Sequence, residues 1–271
     1  MPEVFGPAFG GALLFSAVLG SCFAWVLLFQ RHSQGLPLLE RREETRTERP
    51  LGAVAVAAIW AGISLTDRVL ADIAGRQAEP TTRLLAFALL LSLGVLTVVA
   101  LLLFGNGRFR WQDVGFDRGR LQESLELGIG ALFVVVLPTA LILLATLPLR
   151  NVATQHTLLR LLGETLDVRV VAMLALTAVV VAPLSEELLF RVTLQGWLTS
   201  RMDPSKGVTI VSVLFAAIHG WRDGLALLPL AFVLGYIYER RNDFVAVVVT
   251  HGLFNAANLG LMLVARQAQN S

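Results

Sequence analysis

The chain has 271 residues, 55% of them hydrophobic and 15% charged, with a mean hydropathy of +0.69 and a formal charge of +2. A soluble domain carries roughly 25% charged residues, so a water-soluble globule is excluded and an integral membrane protein is expected. The basic residues are arginines spread over the loops, with Lys206 the single lysine, which excludes a nucleic-acid surface; the lone Cys22 excludes an internal disulfide.

Apolar runs that cross a bilayer need about 20 residues. In chain order they fall at Phe5–Phe29, Leu51–Ala71, Leu84–Phe104 and Leu125–Leu149. Four more follow, shorter or interrupted by polar groups: Val170–Leu198, Val208–Trp221, Leu225–Tyr238 and Phe244–Val264. The predicted fold is all-α, a polytopic membrane protein of about eight transmembrane helices. Residues 1–150 hold the N-terminal helices and loops, and residues 151–271 a four-helix membrane core. Leu19-Gly20-Ser21-Cys22 loosely resembles a lipoprotein cleavage box. No Lys or Arg precedes it between Met1 and Phe29, so Cys22 is taken as an ordinary helix residue and no cleavable leader is expected.

The loops bear on orientation. Connections after the first, third, fifth and seventh helices carry thirteen basic residues, against eight in the remaining connections and the C-terminal tail. That bias puts the odd loops in the cytoplasm and both termini outside. Arg31–Pro50 is charged and expected to be a solvated loop. Gly105–Glu126 sets Phe109, Trp111 and Phe116 among arginines, a pattern of the membrane interface. Thr154–Val168 has the spacing of an amphipathic helix, lying on the outer surface or plugging a cavity entrance. His32 and His156 receive no role.

Four ionisable residues remain inside apolar stretches: Glu186, Glu187, His219 and His251. A charge at mid-bilayer costs roughly 2.5–3.5 kcal/mol on insertion scales, so a cluster of them is expected to pair or to do chemistry. In EELLFR, Glu187 and Arg191 stand four apart and share a helix face, where they form an ion pair. Glu186 lies about 100° around the helix, facing a cavity and free to act as a base. In FAAIH, Phe215 and His219 share a face; in HGLFN, His251 and Asn255 do, with Gly252 permitting close helix approach. A carboxylate, two imidazoles and an amide from different helices make a site that activates water. The same groups, taken alone, also suit a purely structural network between helices.

These motifs resemble the CAAX prenyl protease 2 family, also called the CPBP family of glutamate intramembrane proteases. Its marks are EExxxR, FxxxH and HxxxN in that order, here Glu186-Glu187…Arg191, Phe215…His219 and His251…Asn255. The resemblance implies an intramembrane endopeptidase acting on a membrane-associated or CAAX-type peptide. It implies that Glu186 and His219 activate water, that His251 and Asn255 stabilise the oxyanion, and that Glu187 and Arg191 orient the site. No cofactor is implied, and the bilayer and a peptide or protein substrate are the partners. A bacterial cytoplasmic membrane is the expected location. Three other functions remain open on the residues: a zinc protease using Glu186, His219 and His251, a non-catalytic scaffold or bacteriocin self-immunity protein, and a transporter. No HExxH, phosphate loop or GxSxG elbow is present.

Overall fold

In hydrocarbon, every backbone polar group must be satisfied within its own segment, so apolar runs of this length fold as helices. The computed structural model describes residues 7–42, 47–74, 82–105, 107–149 and 167–270. The amphipathic stretch, up to residue 166 and with His156, lies outside them. Every regular element among the described residues is helical. The long helices are α1 (Pro7–Ser33), α2 (Leu51–Ala74), α3 (Thr82–Phe104), α4 (Leu121–Ala145), α5 (Val168–Leu198), α6 (Pro204–Ala217), α7 (Trp221–Arg241) and α8 (Phe244–Asn270). Two short 3-10 turns, Trp111–Val114 and Arg118–Arg120, lead into α4.

Six of the eight, α1 to α5 and α8, are long and apolar enough to cross a membrane, and the chain is a multi-pass integral membrane protein. Their outer faces carry large exposed apolar side chains such as Phe15, Phe23, Ile63, Leu90 and Leu101, as lipid contact requires. The expected count of about eight helices is met among the described residues, and six of them have the length and composition of a membrane span by themselves. With 14 residues, α6 spans only about 21 Å at 1.5 Å per residue. Both ends of α7 are charged, and it buries Ala226, Leu230, Leu234 and Tyr238 inside the protein. The break between these two helices also shifts. Gly220, at φ +89°, turns the chain so that Trp221 opens α7 instead of closing α6.

Helix α4 organises the N-terminal half. Pro138 has no N–H, so the carbonyl of Val134 lacks its usual donor, and the indole of Trp25 on α1 supplies one at 3.1 Å. One residue earlier, Ser21 Oγ accepts from the amide of Leu137 at 2.9 Å and donates to the carbonyl of Phe133. The carbonyls around Pro138 are therefore a docking place for α1, while α4 also packs against the C-terminal helices α7 and α8.

The loop expected to be solvated is exposed over residues 32–38, and its later part is fastened to the helices. The amide of Arg42 donates to the carbonyl of Arg240 at 2.7 Å, and Arg240 Nε returns a bond to the carbonyl of Leu39 at 3.0 Å. Thr47 bonds the carboxylate of Asp113. Arg49 is buried: its Nε donates to the carbonyl of Val192 at 2.8 Å, and its guanidinium lies over the Phe109 ring. Val192 belongs to α5, so the loop reaches the helix that carries both glutamates.

Candidate active site

Helix α5 is not regular. It widens into π turns over Leu176–Val181 and Leu188–Gln195, on either side of Ala182–Glu187. A π turn leaves carbonyls without their usual donor, and such bulges concentrate at functional sites. Here those carbonyls are taken by side chains from elsewhere. Ala178 O accepts from Asn255 Nδ2 on α8 at 2.8 Å, and Val192 O accepts from Arg49. Pro183 removes a further donor, the one that would serve Val179 O. Gly252 of α8 sits against that carbonyl, where a Cβ would lie only 2.7 Å away. The bulges and Pro183 expose backbone oxygens, and α8 packs onto them through one amide and one glycine. Through Pro183 the helix runs on, and widens.

Adding a methyl group at that contact has a defined consequence. Gly252→Ala is expected to cost about 1–3 kcal/mol through forced separation of α5 and α8. Because His251 is the adjacent residue, its ring should shift as well. Thermal unfolding in detergent reads the stability effect, and a variant of parental stability would remove this account of the helix contact.

The buried side chains form a continuous polar line. Arg191 Nε donates to Glu187 Oε2 at 3.1 Å, with both side chains fully buried. Glu187 Oε1 accepts from His251 Nδ1 at 2.8 Å. Toward the other end, Arg191 Nη1 reaches Gln195 Oε1 at 3.5 Å, and Gln195 Nε2 donates to the carbonyl of Gly235 on α7 at 2.8 Å. Phe215 is the apolar centre of the arrangement. The Arg191 guanidinium lies 5.3 Å from its ring centroid, while the His219 and His251 rings lie 4.9 and 5.6 Å away.

Glu186 stands apart from this line. Its Oε2 is buried and has no hydrogen-bond partner among the described residues. It lies 4.0 Å from His219 Nε2 and 3.9 Å from His251 Nε2, beyond direct hydrogen bonding. Each imidazole is fixed through its other nitrogen. His219 Nδ1 meets the carbonyl of Phe215 at 2.7 Å, and His251 Nδ1 meets Glu187. Carbonyl and carboxylate oxygens only accept, so both Nδ1 atoms carry protons and both Nε2 atoms face Glu186. A cavity of about 290 Å³ opens at this point, with Glu186, His219, His251 and Asn255 in its wall and Thr139, Asp223 and Asn258 as its other polar groups. The remainder is apolar, including Leu143, Leu174 and Leu259.

The six residues singled out in the sequence thus lie together: Glu187 and Arg191 in the buried line, Glu186, His219 and Asn255 at the cavity, and His251 in both. Among the described residues no group of three His, Cys, Asp or Glu side chains is arranged to hold a metal ion. Three residues at or behind the site were missed in the sequence. Gln195 continues the four-residue spacing from Glu187 and Arg191, a signal that was available. Arg49 comes from a loop remote in sequence, and Thr139 from a helix that reads as generic membrane span; neither carries a local signal.

A polytopic helical membrane protein with paired glutamates, an arginine and two histidines around one cavity is the class that fold and site define. Comparison with known proteins narrows it. Residues 168–257 match the family model described as "Type II CAAX prenyl endopeptidase Rce1-like", a segment that contains all six residues and so agrees with the resemblance carried by the motifs. The UPF0177 protein YxdF of Lactococcus lactis subsp. lactis (strain IL1403) is 37% identical over 79 residues, 28% of this chain. The chain spans 42% of the length of that relative. No solved structure matches.

Proposed function

We propose that the protein is an intramembrane endopeptidase that hydrolyses a peptide bond in a membrane-associated or CAAX-type substrate. The single observation behind this is the buried, unpartnered Glu186 Oε2 within 4.0 Å of both Nε2 atoms. With both Nδ1 atoms protonated, neutral His219 offers a lone pair at Nε2. A water between Glu186 and His219 donates one hydrogen bond to each, and its own lone pair is left to attack the carbonyl carbon. One proton passes to the pair as the C–O bond forms, and is returned to the departing amine as the C–N bond breaks.

His251 and Asn255 then serve the tetrahedral oxygen. Asn255 uses one N–H on Ala178 O and keeps the other to donate. His251 donates from Nε2 when it carries the second proton, its ring oriented by the buried Glu187 carboxylate at Nδ1, and Arg191 holds that carboxylate in turn. Losing one such donor typically costs about 10²–10³ in kcat. The arginine-biased composition and the lactococcal relative support a bacterial cytoplasmic membrane as the location.

Purified protein in detergent tests the proposal, with an internally quenched, farnesylated CAAX-type peptide and its unprenylated counterpart as probes. Cleavage of either, lost in the Glu186→Gln variant, is expected. Failure to cleave both would count against peptidase activity. The proposed chemistry uses side chains alone, so saturating 1,10-phenanthroline should leave the rate as it was. Loss of activity with the chelator and its return with added zinc would instead make Glu186, His219 and His251 metal ligands.

A further inference from the structure

The proposed hydrolysis leaves one polar end of the cavity unused. Thr139 lines it from α4, 5% exposed, and its hydroxyl has no hydrogen-bond partner among the described residues. This sets it apart from other helical threonines of the chain. Thr97, Thr146, Thr177, Thr209 and Thr250 each donate to the carbonyl four residues back, the common resting place for a hydroxyl inside a helix. Thr139 follows Pro138, near where α1 docks, and makes no such bond. A buried hydroxyl without a partner is costly, and this one sits in the wall of a cavity where a ligand group would supply the partner. In the same cavity, from α8, the Asn258 amide donates to the Phe254 carbonyl at 3.0 Å, leaving its Oδ1 to accept.

We propose that Thr139 is a substrate-binding residue whose hydroxyl donates to a backbone carbonyl of the peptide strand flanking the scissile bond. Asn258 Oδ1 takes an N–H of the same strand, and the intervening apolar side chain lies against Leu143, Leu174 and Leu259. An extended peptide presents carbonyls and N–H groups alternately, which is the complement of one donor and one acceptor lining one cavity. The inference rests on the cavity being the peptidase's substrate site.

The test uses the full chain and the same farnesylated CAAX-type peptide. Thr139→Val preserves shape and removes the hydroxyl. It should raise KM about three- to tenfold with kcat retained. Thr139→Ser should return KM toward the parent, and the thermal midpoint of Thr139→Val should be no lower than the parent's, since no structural bond is lost. Binding of a labelled peptide to Glu186→Gln, with and without Thr139→Val, should show the same ratio in Kd. An unchanged KM and Kd in Thr139→Val would overturn the proposal while cleavage by the parent leaves the peptidase intact. A fall in thermal midpoint beside the rise in KM, or no recovery with serine, would make Thr139 structural and overturn it also. If the parent cleaves nothing, or Glu186→Gln cleaves as the parent does, the peptidase reading falls and takes this subsite with it.

Discussion

Glu186→Gln is expected to slow peptide cleavage by about 10²–10⁴, the usual worth of a positioned general base, while the protein still folds and inserts. The substitution keeps the volume and removes only the charge and basicity. Glu186 Oε2 makes no hydrogen bond among the described residues, so the fold loses no partner. Helical circular dichroism, elution in detergent and thermal midpoint should match the parent. Removing a carboxylate that only held helices together would give the opposite pattern, a less stable protein with activity reduced in proportion. Retained turnover in Glu186→Gln would leave the proposed chemistry without its base.

Arg191→Met should have the largest effect on stability, about 3–5 kcal/mol, because it strands a fully buried carboxylate. Arg191 and Glu187 are both 0% exposed, so water cannot enter to solvate Glu187 once the guanidinium has gone. The effect also reaches the chemistry. Glu187 orients His251 at 2.8 Å, and a carboxylate forced to take a proton or to move releases that imidazole. The double variant Glu187→Gln/Arg191→Met removes both charges and should recover a good part of the lost stability without recovering activity. Thermal or denaturant unfolding in detergent, read beside cleavage, separates the two. Parental stability in Arg191→Met would show that the line from His251 to Gly235 carries none of the fold.

Much of this was visible before any coordinates, for physical reasons. Helical spacing alone divides the two glutamates, because a four-residue step is the one geometry that brings Glu187 to Arg191 while turning Glu186 to another face. The apolar runs mark the helices because a bilayer span demands that length. What could not be read comes from departures from regularity. The π turns of α5 depend on how α8 and Arg49 satisfy the carbonyls they expose, a tertiary matter. The α6–α7 break was placed too late because the apolar run continues through Ile218 while Gly220 turns the backbone. The Arg31–Pro50 loop reads as solvated from its charge, and it is exposed over residues 32–38; that Arg42 and Arg49 also reach carbonyls of α7 and α5 depends on the tertiary fold. Thr139 carries no signal in the sequence because a threonine in an apolar helix normally bonds its own backbone, and this one does not.

The central claim is that Glu186 and His219 hold one and the same water for attack on the substrate carbonyl. A kinetic double-mutant cycle tests it most directly: cleavage of the CAAX-type peptide by the parent, Glu186→Gln, His219→Gln and the double variant. Groups that act as a unit are far from additive, so the double variant should cleave about as slowly as Glu186→Gln alone. Two losses that multiply, the double variant falling by the product of the single effects, would contradict a shared water and with it the proposed mechanism.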